Sequence, residues 1–418
     1  MSVAGGTPIT LDPSQAAAVD LMVCARIGII TGGPGTGKTT ITRAALEIME
    51  SGGERCLLAA PTGKASKRLS EATGREAVTV HRLLKFDPSS NGFAHGEDCP
   101  LDASVVIVDE ASMLDVVLGA ALLSAIDRSN TRLLLVGDAD QLPPVGPGQV
   151  FADLIASGAV PVARLTSPHR AAAKSWVCCS AQRIIAGKLP DLAPAPDFEF
   201  VSTADAGNIV PTVQKLVTGD GRFASVAPQV LAPQHTGVAG VARLNGALQD
   251  ALNPLSPRQA HVRRSAAKGE ESVPGTLRVG DPVIQRSNSY SLEVMNGELG
   301  RIRRVDRGRV TVTYFGGDVE YDSKDAAGLD LAYALTVHRT QGSEFDWVLV
   351  VCHSTHTFML SRNLLYTAVT RAKKGVVIVG DQAGIRRATR PLRKDDVRLT
   401  ALPERVGLTG PGSNLDGF

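Results

Sequence analysis

Aromatic side chains are scarce in this chain: ten Phe, five Tyr and two Trp among 418 residues. A continuous platform for stacking bases is therefore not expected, and a polymeric ligand would have to be held mainly through its backbone. An excess of either charge sign is lacking too. The 44 Lys and Arg nearly cancel the 42 Asp and Glu, leaving +2, so attraction to a polyanion must come from local basic surface. The six cysteines, Cys24, Cys56, Cys99, Cys178, Cys179 and Cys352, form no CxxC pair and no zinc-like spacing; reduced, mostly buried thiols are expected. No run reaches the ~18 apolar residues of a membrane span, and residues 1–25 show no basic segment leading into a long apolar core. The expectation is a cytosolic protein without membrane contact, and no internal repeat of fixed period is evident.

What is present is a glycine-rich stretch, GGPGTGKT at 32–39, entered from the apolar run 27–30. It reads as a strand, a turn and the start of a helix. Gly33, Pro34, Gly35, Thr36 and Gly37 bring the backbone close to a polyphosphate, whose oxygens the N–H groups of the loop and of Lys38, Thr39 and Thr40 can cradle. Lys38 would reach the β- and γ-phosphates and the Thr39 hydroxyl would bind Mg²⁺, so the ligand is ATP or a close relative. The bland alternative, a glycine-rich turn, does not account for the strand-to-helix setting.

The composition, 43% hydrophobic and 21% charged, suits roughly two to four compact units. Continuous apolar runs at 56–60, 105–108 and 132–136 alternate with helical patterns at 38–49, 64–71 and 113–126. This predicts a doubly wound α/β unit over 1–163, with ligand residues beyond the carboxyl ends of its strands. The turn-rich segment 86–100, with Phe93 inside it, reads as a protruding loop or hairpin. A second α/β unit is expected over 164–255 and 329–392. Between its halves lies an inserted region, 256–328, within which 277–322 carries period-2 alternation in short pieces, predicting a small antiparallel barrel. Residues 393–418 are expected as a flexible tail.

Several polar groups fall at the predicted strand ends. Asp109 and Glu110 close the run 105–108: Asp109 could hold Mg²⁺ and Glu110 could polarise the attacking water, although such a pair also caps helices. Gln141, after the next strand, could contact the γ-phosphate, or simply belong to a polar turn. Arg170 and Arg371 lie outside the first unit and could neutralise charge spreading onto the γ-phosphate, which would place ATP between two lobes; taken singly, each is more readily read as a surface ion-pair partner. Gln15, one short helix upstream, could read an adenine edge. Pro61, Thr62 and Lys64, then Thr79 and His81, then Thr336, His338, Arg339 and Ser343 offer hydroxyls, imidazoles and cations suited to phosphate and sugar contacts that ignore base sequence.

With those motifs in order, the chain resembles the RecD/Dda-type superfamily 1 DNA helicases, in the branch that moves 5′ to 3′. Gln15, 32–39, 59–69, 79–84, 105–113, 137–148, 165–170, 333–345 and 364–374 are similar to that family's adenine-reading glutamine and its successive motifs. The resemblance implies two RecA-like lobes with ATP between them, Asp109 and Thr39 serving Mg²⁺, Glu110 as general base, and Lys38, Gln141, Arg170 and Arg371 around the γ-phosphate. It also implies that 86–100 is a strand-separating pin carrying Phe93, that the inserted barrel is SH3-like, and that the partners are single-stranded DNA and its junctions with duplex, engaged by a monomer. Polarity rests on the resemblance alone. Ala171 stands where the family usually has Gln, and Arg339-Thr340 is a mild departure that keeps the cation. The amino-terminal domain of longer RecD-like proteins is expected to have no counterpart before the phosphate loop. Two other activities stay open: an ATP-gated single-strand binding or protein-displacing module without unwinding, and an RNA helicase.

Overall fold

The computed structural model describes residues 11–166, 175–219, 223, 227–256, 259–264, 275–289, 291–390, 398 and 400–407. They form two compact units. One runs to Cys178 and takes in the described residues beyond 392; the other begins at Cys179.

The first unit contains strands β1 (Ile27–Gly32), β2 (Cys56–Ala60), β3 (Ala77–Thr79), β4 (Phe86–Asp87), β5 (Gly92–Phe93), β6 (Val105–Val108), β7 (Arg132–Gly137) and β8 (Val162–Leu165). Six of them make a parallel sheet in the order β3-β2-β6-β7-β1-β8. Successive residues face opposite layers. Val105 and Ile107 pack with Ile30, Leu134 and Val136 against Met22, Ile41 and Leu46, whereas Val106 and Val108 pack with Ile29, Leu133 and Leu135 against Leu118, Phe151 and Leu154. A sheet covered on both faces needs apolar residues at every position, which is why these strands read as unbroken apolar runs. Each such side chain contributes roughly 1.5–3 kcal/mol by leaving water.

Three expectations are corrected here. Leu165 and its neighbours belong to the first unit, because β8 pairs with β1 as a sixth strand; the unit therefore runs past 163. The tail expected to be flexible is partly docked. Arg398 and Thr400 bond to the first unit, and the helix Leu402–Gly407 sets Leu402 and Val406 against the core around Leu154. None of the six cysteines is in a disulfide, but only Cys178 and Cys352 are buried.

The segment 86–100 forms a short hairpin, with Phe86 opposite Phe93 and Asp87 opposite Gly92. Phe93 sits at its base. Its ring lies 5.2 Å from that of Phe86 and 5.9 Å from that of His81, half-buried against the core. The tip, Pro88 to Asn91, is polar apart from the proline, and the Asp87 carboxylate accepts hydrogen bonds from Ser89 and Ser90.

The second unit contains β9 (Phe198–Ser202), β10 (Gln229–Ala232), β11 (His261–Arg264), β12 (Gly275–Arg278), β13 (Pro282–Gln285), β14 (Leu299–Asp306), β15 (Arg309–Tyr314), β16 (Gly317–Tyr321), β17 (Leu329–Leu331), β18 (Ala334–Thr336), β19 (Phe345–Cys352) and β20 (Ala372–Gly380). A parallel sheet runs β18-β10-β19-β20-β9, and an antiparallel one runs β16-β15-β14-β13-β17. Leu277, Val283, Ile302, Val310 and Tyr321 fill the core of the antiparallel part, so period 2 is legible there. Asp281, fully buried, fastens it to the helix Val241–Leu252 and the chain beyond. Its carboxylate accepts from Gln249 at 2.6 Å, Asn253 at 2.7 Å, the Arg278 N–H at 2.7 Å and Tyr333 at 2.8 Å. A buried carboxylate persists only with its lone pairs engaged in this way.

The two parallel sheets share one plan. In each, an edge strand of three residues lies in register with its neighbour so that Ala60 pairs with Thr79, and Ala232 with Thr336. A proline follows each alanine, Pro61 and Pro233, and Val-His-Arg follows each threonine. Val136-Gly137-Asp138 ends β7 and Val379-Gly380-Asp381 ends β20, two strands further across each sheet from the edge pair's inner strand. The sequence therefore holds a repeat after all, scattered among strand ends at no fixed period.

Candidate nucleotide site and nucleic-acid surface

The turn between β1 and the helix Lys38–Ser51 is shaped by its glycines. Gly35 and Gly37 have φ of 68° and 87°, values that a side chain makes costly. A Cβ on Gly37 would also stand 2.7 Å from the Gln15 amide nitrogen. Gln15 is buried and tied at both ends: its oxygen accepts from the Asp12 N–H at 3.1 Å and its nitrogen donates to the Thr36 carbonyl at 3.1 Å. Besides its expected adenine contact, this residue thus completes a capping box and anchors the phosphate loop. Thr36 donates to the Gly33 carbonyl at 2.8 Å, and Lys38 donates to the carbonyls of Gly32 at 2.6 Å and Gly33 at 3.1 Å. The ammonium is therefore held over the loop. Thr39 and Thr40 follow in the first turn of the helix, half-buried.

Two strands away, Asp109 and Glu110 leave β6. Loss of hydration and the neighbouring Glu110 carboxylate push the Asp109 acid up to about 6, against the pull of the Glu110 N–H, Lys38 and Arg68. Lys38 and Arg68 thus lie in electrostatic reach of it. Arg68 projects from the helix Gly63–Thr73 and was not singled out from sequence; its position in the stretch 59–69 was the available signal. Glu110 is left-handed, φ 51° and ψ 36°, a conformation that costs a non-glycine residue of order 1–2 kcal/mol and concentrates at functional sites.

The loop after β7 is joined to the end of β1 by the Ala139 N–H, which donates to the Thr31 hydroxyl at 3.2 Å. Gln141 is buried in that loop and donates to Asp138 at 3.3 Å. In the second unit, Arg371 is also buried, with its guanidinium donating to the carbonyls of Thr367 and Ser343 at 3.2 Å each. Arg170 lies outside the described residues.

The expected nucleic-acid contacts divide. Thr62 and Thr79 cap the helices after β2 and β3 through their hydroxyls, and Pro61, Lys64 and His81 are half-exposed beside them. Thr336 and Arg339 line a cleft of about 260 Å³ in the second unit, with Leu277, Leu331 and Leu335 among its apolar walls; Arg339 also pairs with Asp330 at 2.9 Å. Burial holds the His81 and His338 imidazoles below their ordinary range, so both act as neutral groups near pH 7. Ser343 is buried, at 1% exposure, and its carbonyl is engaged by Arg371. Phe93, packed at the hairpin base, is likewise not a projecting aromatic.

Parallel sheets with a phosphate loop after β1, an acidic pair after β6 and a glutamine after β7 define a RecA-like P-loop NTPase with a barrel inserted in its second unit. Family models agree segment by segment: an AAA domain matches 15–147, a UvrD-like helicase C-terminal domain 331–379, and an ATP-dependent RecD-like DNA helicase SH3 domain 244–314. The chain is 39% identical to the ATP-dependent RecD2 DNA helicase of Deinococcus radiodurans, over 95% of its own length and 52% of that protein's. It is 33% identical to the RecBCD enzyme subunit RecD of Mycolicibacterium smegmatis, over 95% of itself and 75% of the relative. The chain belongs to the RecD-like family of superfamily 1 helicases. It spans about half the length of the Deinococcus relative. In fold it is similar to the Bacteroides Pif1 helicase solved with ADP-AlF3 and single-stranded DNA, with a TM-score of 0.57 at 20% identity over 93% of this chain and 96% of that one. No helix among the described residues is long and apolar enough to cross a membrane.

Proposed function

We propose that the chain is an ATP-dependent DNA helicase that translocates 5′ to 3′ on single-stranded DNA and acts at junctions with duplex, as a cytoplasmic monomer. The observation that carries this reading is the glycine loop after β1, with the Lys38 ammonium held over it by the Gly32 and Gly33 carbonyls, in the same parallel sheet whose β6 leads into Asp109 and Glu110 and whose β2 and β3 end beside the helix caps Thr62 and Thr79. Lys38 and the N–H groups of the phosphate loop hold the β- and γ-phosphates, Gln15 the adenine, and Gln141 the γ-phosphate edge. Glu110 takes the proton of the attacking water. Arg371 and Arg170 are the cations that would neutralise charge spreading onto the γ-phosphate. The donor set suits Mg²⁺, since a poorly hydrated Asp109 carboxylate favours a cation and Thr39 adds a hydroxyl. When bound, that ion neutralises charge on the phosphates.

One observation favours a second reading, translocation that displaces bound protein without parting strands: the hairpin tip carries no aromatic wedge. An unwinding assay on 5′-tailed, 3′-tailed and blunt duplexes separates the two. Separation of the 5′-tailed duplex alone supports the helicase. DNA-stimulated hydrolysis with no separation supports the second reading, and hydrolysis stimulated by RNA but not DNA would refute both.

A further inference from the structure

The loop that carries Gln141 continues through Leu142-Pro143-Pro144-Val145-Gly146-Pro147-Gly148. Three prolines remove three N–H groups from these seven residues, so the loop has little means of bonding to itself. Its backbone is pressed against the start of the helix Val116–Ser124: a Cβ on Gly146 would fall 2.0 Å from the Asp115 carboxylate, and Gly148 has φ 78° beside Val116. The Val116 N–H takes the Pro147 carbonyl at 2.9 Å. The carbonyls of Pro144, Gly146 and Gly148 all accept from one side chain, Arg398, at 2.6, 2.6 and 2.7 Å.

Arg398 is itself well seated. Two residues on, Thr400 donates at 2.6 Å to Asp153, a buried carboxylate that also accepts from Gln149 at 3.1 Å. The helix Leu402–Gly407 then packs Leu402 and Val406 into the core. A planar guanidinium with several fixed donors can serve three carbonyls at once, as an ammonium cannot in the same geometry.

We propose that Arg398 is a positioning residue for ATP hydrolysis: it sets the Pro144–Gly148 loop and thereby holds Gln141 in place. The inference rests on the reading of Gln141 as a γ-phosphate contact. It gives the chain's last described segment, which follows the second unit's helix Gln382–Thr389, a part in the chemistry of the first unit.

The test is a double-mutant cycle on the full chain, reading single-stranded-DNA-stimulated ATPase. Arg398→Ala should lower kcat about 10-fold and leave KM for ATP within about 2-fold, as expected for lost positioning rather than lost binding. Arg398→Lys should fall between it and the wild type. Gln141→Ala should be slower still, by about 10²-fold, and adding Arg398→Ala to it should cost less than about 2-fold more, because both act through one contact. Multiplying effects would overturn the proposal, as would an Arg398→Ala enzyme with wild-type kcat. Should Arg398→Ala be too unstable to purify, Arg398→Lys carries the cycle, and wild-type kcat in that variant overturns it. Normal turnover in Gln141→Ala would instead remove the underlying reading of the glutamine.

Discussion

Glu110 offers a sharp separation of stability from activity. Its left-handed backbone costs a residue with a Cβ about 1–2 kcal/mol, and glycine escapes that cost while losing roughly 0.4–1 kcal/mol to the greater freedom of its unfolded chain. Glu110→Gly should therefore stabilise the first unit by about 0.5–1 kcal/mol, or at worst leave it unchanged. Glu110→Gln keeps the same backbone strain, so its stability should match the wild type. For a unit of this size the glycine variant should melt about 1–4 °C higher. Both variants lose the carboxylate proposed to take the proton of the attacking water, so both should lower DNA-stimulated kcat by about 10²- to 10⁴-fold, the range for a general base. The measurements are thermal unfolding of the three proteins and steady-state ATPase at saturating single-stranded DNA. If Glu110→Gly melts lower than Glu110→Gln, the strain argument is wrong and the side chain is structural. If Glu110→Gln turns over near the wild-type rate, Glu110 is not the base.

Lys38→Ala should abolish hydrolysis and weaken binding of a fluorescent ATP analogue, with an unchanged circular dichroism spectrum; retained turnover would contradict the phosphate-loop assignment. Arg371→Ala should keep the analogue's affinity while cutting kcat by about 10²- to 10³-fold, which pre-steady-state binding and steady-state hydrolysis measure separately. Titration calorimetry should find one nucleotide per chain, and a second site of similar affinity would refute the placement in the first unit. His356 is 1% exposed, its ring nitrogens have no hydrogen-bond partner among the described residues, and burial assisted by His353 and opposed by Asp381 lowers its pKa to about 4. Because the unfolded chain takes up this proton near pH 6.5 and the folded one only near 4, its contribution is intact above pH 6.5. At most roughly 3 kcal/mol is then lost as pH falls to 4. His356→Leu should flatten that part of the stability profile measured by denaturant titration, and an unchanged slope would exclude the residue as its source.

Much of this was legible in the sequence because parallel strands buried on both faces leave continuous apolar runs, and their ends then mark the site. The runs at 56–60, 105–108 and 132–136 became β2, β6 and β7, with Asp109 and Gln141 just beyond the last two. What stayed hidden depended on long-range contact. Arg398 meets the carbonyls of Pro144 and Gly148 across some 250 residues of chain, and a lone arginine in a Pro- and Gly-rich tail gives no local sign of a partner. Phe93 looked like a wedge because hairpin register decides whether an aromatic lies at the tip or the base. Ser343 stood in a motif of plausible phosphate contacts, but burial depends on what packs above it. The paired Thr-Val-His-Arg segments were visible as letters; their meaning came only with the matched registers of Ala60 to Thr79 and Ala232 to Thr336.

That shared plan raises the question of why only one unit should hold nucleotide. In the first, β1 opens into a glycine loop, β6 into Asp109 and β7 into Asp138. At the matching strand ends of the second, β9 leads to Thr203 with no glycine loop, β19 to His353 and β20 to Asp381. Those groups are spent on one another: Asp381 accepts from the Ser354 hydroxyl at 2.5 Å, the Ser354 N–H at 2.9 Å and the Gly384 N–H at 2.7 Å, with the His353 ring 3.6 Å away. His353 meanwhile bonds Thr355 and the Ala204 carbonyl. A phosphate there would meet an engaged carboxylate in place of a cradle of N–H groups, and like charges in a poorly hydrated site repel strongly. The second unit thus keeps the frame and the Thr-Val-His-Arg edge but has closed the nucleotide position with its own side chains. Arg371 is likewise engaged within this unit, its guanidinium held by the carbonyls of Thr367 and Ser343.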